Sequence, residues 1–290
     1  LNPRLHPSQL IYILNHAEDR YLFTDLTFLP LVEAIAEHLK SVKGIVVMTD
    51  AEHMPESDLP NLLCYEDLLS AQDGHFEWPY FDENTASSLC YTSGTTGHPK
   101  GVLYSHRSSV LHAYCVSLTG VLALGESETF LPVVPMFHVN AWGTPYAIPM
   151  TGTKLVMPGP GLDGASLTQL MRDEGVTSTA GVPTVWTGLL NYWREHDTSV
   201  PTLKMMIVGG SAVPRSMIEA FDKEFGIEIR QGWGMTEISP IGSVNTLKPE
   251  QRTAPAEERY DIQIRQGRAV YGVEMKIVDA EGDTLPCDGE

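Results

Sequence analysis

One stretch decides how the chain is interpreted: Tyr91-Thr92-Ser93-Gly94-Thr95-Thr96-Gly97-His98-Pro99-Lys100-Gly101. Its three glycines permit backbone conformations and a close approach to a ligand that other residues resist. Its four serine and threonine hydroxyls can donate hydrogen bonds to phosphate oxygens. Lys100 adds a compact positive charge. The stretch therefore predicts a loop that surrounds a chain of phosphates.

The residues on either side of this loop predict its place in the fold. The apolar run 86–91 before it predicts a buried strand, so the loop should leave the carboxyl end of a sheet, where α/β proteins bind ligands. The spacing is not that of a Walker P-loop, because Pro99 and Gly101 flank the lysine and no Ser or Thr follows it. A plain surface turn is the alternative interpretation of so many Ser, Thr and Gly residues.

A second motif, Gln231-Gly232-Trp233-Gly234-Met235-Thr236-Glu237, follows the strand-like run 227–230. Its glycines allow an adenine ring to lie against the backbone beside the Trp233 ring. Thr236 can donate a hydrogen bond to an α-phosphate, and Glu237 offers the hard oxygen that Mg²⁺ prefers. A glycine turn with a solvated glutamate is the alternative interpretation.

Composition limits the function classes. The 290 residues carry a net charge of −18, which argues against a nucleic-acid partner. The four cysteines form no Cys-x-x-Cys pair and predict reduced thiols in a cytoplasmic protein. The chain opens without a secretory signal pattern. Four prolines interrupt the longest uncharged run, 129–153, so no membrane span is expected.

Strands alternate with helices along most of the chain. This pattern predicts an α/β fold with two mostly parallel sheets flanked by helices. Residues 1–125 are expected to form a first lobe that contains the phosphate loop, and residues 126–240 a second lobe. Residues 241–290 should start a β-rich subdomain, because segments such as 273–279 alternate charged and apolar residues in the manner of antiparallel strands.

The two motifs together resemble the adenylate-forming superfamily, which includes acyl-CoA synthetases, beetle luciferases and the adenylation domains of peptide synthetases. The loop 91–101 matches the superfamily's phosphate loop nearly position for position, while Trp233 stands where a tyrosine is more usual. The resemblance implies that Glu237 and Thr92 hold Mg²⁺ and that Lys100, Thr236, Glu237 and His138 take part in catalysis. The implied nucleotide-binding residues are Thr92, Ser93, Gly94, Thr95, Thr96, Gly97, Lys100, Gly210, Ser211, Gln231, Gly232, Trp233, Gly234 and Thr236.

Three further segments extend the resemblance toward an acyl site. The run 134–143, Val-Pro-Met-Phe-His-Val-Asn-Ala-Trp-Gly, closely resembles medium- and long-chain fatty acyl-CoA synthetases. The resemblance implies that His138 lines the carboxylate region, and that Val139 and Trp142 line the mouth of an acyl tunnel with Trp142 as its gate. The resemblance also implies that the loop 208–212 places Gly209 and Gly210 between the adenine and the acyl chain, and that the apolar run 180–186 forms a wall of the acyl pocket. Ordinary core aromatics and a buried histidine are the alternative.

The implied function is ATP-dependent activation of a medium- or long-chain fatty acid to acyl-AMP, followed by transfer to CoA. ATP, Mg²⁺, CoA and the small-molecule acid are the expected ligands, and a homodimer is left open. A related aryl- or methylthioalkanoate-CoA ligase and a carrier-protein-dependent adenylation domain are alternatives. An alternative of another class is a non-catalytic module that binds nucleotide or acyl groups.

The resemblance also implies that this chain is a fragment of the large amino-terminal domain. It contains no Thr-Gly-Asp motif for ribose and no lid domain with the superfamily's catalytic lysine. The 290 residues alone are therefore expected to bind nucleotide weakly and to turn over poorly.

Overall fold

A computed structural model of the chain describes residues 1–92 and 97–286. The chain divides into two compact units, Leu1–Ser105 and His106–Glu290. The sequence predicts a boundary near residue 125, twenty residues further along. The difference arises because the helix His106–Ser117 packs against the helix Thr144–Thr151 of the second unit.

The described residues of the first unit form three helices, five strands and two short 3₁₀ turns. In chain order they are α1 Pro7–His16, β1 Tyr21–Thr24, the 3₁₀ turn Leu26–Phe28, α2 Leu29–Ile35, the 3₁₀ turn Ala36–His38, β2 Gly44–Val47, β3 Leu62–Cys64, α3 Tyr65–Ser70, β4 Ala86–Thr92 and β5 Lys100–Ser105.

Strands β1, β2 and β3 form a parallel sheet in that order. Leu10, Leu14 and Ile35 form a small core between α1 and α2. Strands β4 and β5 pair only with each other among the described residues, and they are antiparallel. This corrects the expectation of a buried strand over 86–91, because Cys90 alone is buried in β4. The predicted phosphate loop therefore joins two strands of a hairpin.

The second unit alternates strands and helices. In chain order they are α4 His106–Ser117, β6 Thr129–Pro132, α5 Val139–Trp142, α6 Thr144–Thr151, β7 Lys154–Leu155, α7 Gly164–Glu174, β8 Ser178–Gly181, α8 Pro183–Glu195, β9 Met205–Val208, α9 Arg215–Phe225, β10 Glu228–Gly234, the 3₁₀ turn Thr236–Ile238, β11 Ile241–Val244, α10 Pro249–Arg252, α11 Ala256–Gln263 and β12 Arg268–Ala269.

These strands form one seven-stranded sheet in the order β12-β11-β10-β9-β8-β6-β7. Five of these strands, β6, β7, β8, β9 and β10, run parallel to one another. Strands β11 and β12 extend the sheet beyond β10 and are antiparallel. Successive residues of a strand point to opposite faces of a sheet. Met206 and Val208 of β9 belong to one hydrophobic core, and Met205 and Ile207 belong to another. The sheet therefore has a core on each face.

Helices α8 and α9 supply eight of the 22 buried residues of the first of these cores. Trp186, Leu189 and Trp193 follow the spacing of one helix face and are fully buried. Trp193 donates a hydrogen bond from its indole nitrogen to the Thr168 hydroxyl at 2.8 Å, so its polar atom is satisfied in the core. Phe221 of α9 packs edge-on against Trp193.

The predicted fold class is confirmed: two sheets of mostly parallel strands are flanked by helices. The antiparallel strands expected after residue 241 are β11 and β12, which continue the large sheet. Residues 273–279 form no strand, and Val278 makes only an isolated bridge with Thr284. A separate β-rich subdomain stays a prediction. Among the described residues, Cys64, Cys90 and Cys115 form no disulfide.

Candidate functional site

Two glycine segments meet at the carboxyl ends of β9 and β10. The strands pair in parallel with Gln231 opposite Val208, so Gly209 and Gly232 follow at the same edge of the sheet. A Cβ added to Gly209 would lie 3.0 Å from the carbonyl oxygen of Gly232 and 3.1 Å from the Trp142 ring. Contacts this close favour glycine, because any larger residue would force the neighbouring atoms to move. The two predicted ligand loops are therefore packed against each other.

The end of β10 departs from regular pairing at the predicted adenine position. The register with β11 shifts between Trp233 and Gly234, which is an irregularity of the β-bulge type. A Cβ on Gly234 would lie 2.2 Å from the carbonyl oxygen of Pro240, so only glycine fits. The backbone N–H of Met235 donates to that same oxygen at 2.9 Å. This hydrogen bond fixes the start of the 3₁₀ turn that carries Thr236 and Glu237.

The segment α5 is a single turn with left-handed backbone. All four of its residues have positive φ, from 43° at Val139 to 58° at Trp142, and Gly143 continues at 76°. Left-handed geometry costs a non-glycine residue roughly 1–2 kcal/mol, so the surrounding structure must hold this turn in place. The hydroxyl of Thr144 donates to the carbonyl oxygen of Ala141 at 2.8 Å and closes the turn. The result places the Trp142 ring against Gly209.

A cavity of about 270 Å³ lies between these elements. Nine of the predicted site residues line it, and they come from all three motifs of the second unit. They are His138, Val139, Trp142, Gly209, Gly210, Gly232, Trp233, Gly234 and Thr236. Two predictions of nucleotide contact, Ser211 and Gln231, fall on residues outside this lining, as does the predicted metal ligand Glu237.

The remaining wall residues were not predicted as site residues, although Met235 lies within the second motif and Ala180 within the apolar run 180–186. They are mostly apolar and comprise Val116, Val121, Leu122, Thr144, Ala180, Ile207, Met235, Pro240 and Ile241. Val116 belongs to α4, and Val121 and Leu122 follow it; no local pattern marks them as wall residues. Trp186, the last residue of the run 180–186, is fully buried in the core and does not line the cavity.

Residues 1–290 match the family described as AMP-binding enzyme. The chain belongs to this family.

Similar curated proteins are acyl-CoA ligases by name. The 3-methylmercaptopropionyl-CoA ligase of Ruegeria lacuscaerulensis is 50% identical over 289 residues, covering 100% of this chain and 54% of the relative. The medium-chain-fatty-acid–CoA ligase of Ectopseudomonas oleovorans is 50% identical over 289 residues, covering 100% of this chain and 53% of the relative. The chain therefore spans about half the length of these relatives.

Solved structures agree on the fold. An anthranilate CoA ligase in complex with anthranoyl-AMP is 27% identical, has a TM-score of 0.84, and matches over 99% of this chain and 52% of its own. A long-chain-fatty-acid-CoA ligase from Archaeoglobus fulgidus, 22% identical, has a TM-score of 0.82 over 98% of this chain and 55% of its own, which shows a shared fold. No helix among the described residues is long and apolar enough to cross a membrane.

In this AMP-binding family member, Gln231 has a structural role. Its side chain is 1% exposed, and its amide oxygen accepts a hydrogen bond from the buried backbone N–H of Val213 at 2.8 Å. Its amide nitrogen donates to the carbonyl oxygen of Arg265 at 3.4 Å. Both ends of the side chain are therefore occupied by backbone groups, and nucleotide contact by the residues that follow Gln231 stays a prediction.

Histidines in and beside the cavity are neutral. Burial lowers the pKa of His138 below its usual range, so at neutral pH its imidazole offers one N–H donor and one acceptor and no charge. Burial lowers the pKa of His112, behind Gly143, to about 4. The His112 Nε2 has no hydrogen-bond partner among the described residues. The apolar walls thus remove positive charge from the region where a carboxylate is expected.

Glu237 is exposed on the 3₁₀ turn beside Thr236, a cavity-lining residue. The described residues contain no group of three or more His, Cys, Asp and Glu side chains that could hold a resident metal. A single exposed carboxylate fits the other mode of Mg²⁺ binding, in which one carboxylate joins the phosphates of the substrate and several waters. The residues present therefore fit Mg²⁺ that arrives with a nucleotide.

The predicted phosphate loop belongs to the first unit. Thr92 ends β4 and pairs with the exposed Lys100 at the start of β5, so the two strands bring both ends of the loop together. Gly97 lies between them in the chain. The predictions for Ser93, Gly94, Thr95 and Thr96 fall outside the described residues. That Lys100 and Glu237 act on one triphosphate stays a prediction.

Proposed function

We propose that this chain provides the carboxylate-activating site of an AMP-forming acyl-CoA ligase. The observation that carries the proposal is the shared cavity. Residues from the predicted acyl segment, His138 to Trp142, and from the predicted adenine segment, Gly232 to Thr236, line one space although about 90 residues separate them. A cavity with an apolar wall at one part and backbone glycines at another fits an acyl adenylate.

The reaction begins when an oxygen of the carboxylate attacks the α-phosphorus of ATP. Pyrophosphate leaves with the electrons of the broken phosphoanhydride bond, and a mixed anhydride forms. The CoA thiol then attacks the acyl carbon and releases AMP. Nucleotidyl transfer of this kind depends mainly on alignment and on neutralisation of charge, not on covalent work by the protein.

Each residue has a part in that alignment. His138 is neutral, so it orients the carboxylate by one hydrogen bond and leaves the attacking oxygen its full charge. Thr236 lies at the cavity wall, where its hydroxyl can donate to the α-phosphate. Glu237 is the residue that would hold Mg²⁺, which neutralises phosphate charge when bound. Lys100 and the hydroxyls of the phosphate loop are expected to hold the β- and γ-phosphates.

The acid we propose is a fatty acid of medium or long chain. The apolar walls favour an alkyl chain over a polar acid, because burying a polar group without a partner is costly. A second candidate is a short thioether acid, because a relative with the same 50% identity is named a 3-methylmercaptopropionyl-CoA ligase. The two acids differ in length, so the cavity beyond Trp142 should discriminate between them.

The test is pyrophosphate release with a panel of acids: 3-methylthiopropionate, saturated acids of increasing length, and benzoate. The enzyme should be the longest natural form of the protein, with CoA omitted in one series to isolate adenylation. We expect the alkyl acids to give the highest kcat/KM. Trp142→Ala should shift the preferred length, while Trp78→Ala, which removes an exposed tryptophan from the first unit, should not. Benzoate as the best acid would reject the alkyl-chain proposal, and no release with any acid would reject ligase activity.

A further inference from the structure

A buried arginine of β10 binds the backbone of a loop at the cavity. Among the Lys, Arg, Asp and Glu residues that the structure describes, Arg230 alone is buried. Its Nη1 atom donates hydrogen bonds to the carbonyl oxygens of Thr119 and Val121, at 2.9 and 2.8 Å. Its Nε and Nη2 atoms donate to the two carboxylate oxygens of Glu228, at 3.0 and 3.1 Å. Arginine is rarely buried unless it is paired, and these partners account for the burial of Arg230.

The loop that Arg230 binds follows helix α4 and consists of residues 119–122, which we call the wall loop. Its last two residues line the cavity. Its second residue, Gly120, accepts a hydrogen bond of 2.7 Å at its carbonyl oxygen from the hydroxyl of Thr246, just after β11. Three successive carbonyl oxygens of the wall loop are therefore bound by side chains that come from β10 and from the end of β11.

Arg230 lies on the sheet face that carries the cavity. Its partner in the register with β9 is Ile207, and the side chains of paired residues project from the same face of a sheet. Ile207 lines the cavity and belongs to the same hydrophobic core as Val121. Arg230 itself does not line the cavity. Its effect on a bound acid must therefore pass through the wall loop.

The backbone of the wall loop is bonded to α4 and to the residue that follows this helix. The backbone N–H of Val121 donates to the carbonyl oxygen of Leu118, and that of Leu122 donates to the carbonyl oxygen of Val116, both at 2.9 Å. Arg230 supplies the link from the loop to the sheet. Hydrogen bonds from a charged group are about twice as strong as neutral ones, and the planar guanidinium fixes the directions of its donors.

We infer that Arg230 is a positioning residue that fixes the wall loop and thereby sets the length of the acid that the cavity accepts. The inference rests on the proposed function, because it assigns the cavity to the alkyl chain of an acid. A packed apolar pocket discriminates one methylene group by about 10- to 200-fold. That discrimination requires a wall that does not move away from the longer chain. Arg230 therefore contributes to specificity without touching the acid.

The experiment measures length discrimination, which is the ratio of kcat/KM for the best saturated acid to kcat/KM for the next longer acid. Both acids are assayed by pyrophosphate release with one preparation of the longest natural form of the protein, so the folded fraction cancels in the ratio. Arg230→Met keeps a long side chain but loses both bonds to the wall loop, and we expect the ratio to fall about fivefold. Thr246→Val removes only the bond to Gly120, and the ratio should fall about twofold.

Two control variants separate positioning from stability. Arg172 also binds the backbone of a loop in the same unit, because its Nε atom donates to the carbonyl oxygen of Ser199 at 2.8 Å. Neither of these two residues lines the cavity, so Arg172→Met is the matched control. Glu228→Gln weakens the ion pair of Arg230 but leaves its bonds to the wall loop. Both controls lose a polar contact, and both should keep the length discrimination of the unaltered protein.

The outcomes distinguish a failure of the inference from a failure of the proposed function. Unchanged discrimination in Arg230→Met and Thr246→Val, or an equal loss in Arg172→Met, would overturn the inference. If Arg230→Met does not fold, Thr246→Val decides. If the unaltered protein releases no pyrophosphate with any acid, the proposed function fails and hydrogen exchange tests the positioning role. The amides of Val121 and Leu122 should then exchange faster in Arg230→Met and Thr246→Val than in Arg172→Met, and equal rates would overturn it.

Discussion

The two predicted nucleotide loops are supported in different ways. The loop after β10 leaves a strand with three consecutive buried residues, Ile229 to Gln231, in a sheet that has a core on each face. The loop after β4 connects the two strands of a hairpin, and Cys90 is the one buried residue of β4. The comparison shows that two loops with similar glycines and hydroxyls can depend on different support. The loop after β10 is held in position by a strand that is packed between two hydrophobic cores. In the other case, residues 93–96 lie outside the described part of the chain, and the backbone pairing of the hairpin brings Thr92 and Lys100 together.

Truncating a buried side chain in the core that packs against β10 should have the largest effect on stability. Phe221 is fully buried on α9, a helix that contacts β10, and its ring packs against Trp193. We expect Phe221→Ala to lower the free energy of unfolding by about 3–5 kcal/mol. Chemical denaturation followed by circular dichroism measures the loss.

The corresponding truncation in the hairpin of β4 and β5 is Leu103→Ala. The Leu103 side chain is 64% exposed on β5, so its loss should change the free energy of unfolding by about 0.5 kcal/mol or less. A loss at Leu103 as large as that at Phe221 would mean that the hairpin is also held by a core, and the contrast between the two loops would disappear.

Acid should weaken the second unit through His112. Its pKa is about 4 in the folded state because burial disfavours the charged ring, whereas an unfolded histidine titrates near 6.5. As the pH falls from 6.5 to 4, the unfolded state gains a proton that the folded state does not. We therefore expect roughly 3 kcal/mol of stability, fully present above pH 6.5, to be lost across this window.

Two variants separate the contribution of His112 to acid sensitivity from that of the Asp and Glu side chains, which also titrate as the pH falls. Denaturation midpoints measured between pH 7 and 4 should fall less steeply in His112→Leu than in the unaltered chain. His75→Leu, which changes an exposed histidine of the first unit, should keep the original slope. If the midpoint falls equally steeply with pH in all three proteins, the folded state protonates His112 as readily as the unfolded state does, and burial does not lower its pKa.

A substitution at Gln231 tests whether this residue supports the loop after β10 structurally or contacts the nucleotide. Gln231→Leu removes the acceptor for the buried N–H of Val213, which should cost about 1–3 kcal/mol of unfolding free energy. We expect the folded fraction of the variant to bind ATP as tightly as the unaltered chain, measured by calorimetry at a temperature where both are folded. A selective loss of ATP affinity without a loss of stability would return Gln231 to the nucleotide site.

The sequence predicted the elements that carry a strong local pattern. The run of four apolar residues 205–208 has the pattern of a buried strand, and β9 covers the same residues, all of them buried. The motifs also identified the cavity residues from Gly232 to Thr236, because close approach to a ligand requires glycine at fixed spacings.

Features that depend on distant contacts could not be predicted. The hairpin was missed because an apolar run does not show whether both faces of a strand are covered. The walls from Val116 to Leu122 were missed because they enter the cavity through packing of α4 against α6. The left-handed turn at 139–142 was missed because Val, Ala and Trp have no local preference for positive φ. Tertiary contacts impose all three.

The smallest expected effect concerns chemistry and leaves the fold unchanged. Glu237 is exposed, and its side chain makes no hydrogen bond or ion pair with the described residues, so Glu237→Ala should not change the denaturation midpoint. It should lower Mg²⁺-dependent pyrophosphate release by the longest natural form of the protein about tenfold, or about 1.4 kcal/mol in the barrier. A higher Mg²⁺ concentration should recover part of the rate, because the variant loses one ligand while the phosphates remain. Glu258→Ala, at an exposed glutamate of α11, is the control. If Glu237→Ala and Glu258→Ala give the same rate at limiting Mg²⁺, Glu237 is not a metal ligand, and the turn after β10 is left with Thr236 as its only proposed contact to the phosphates.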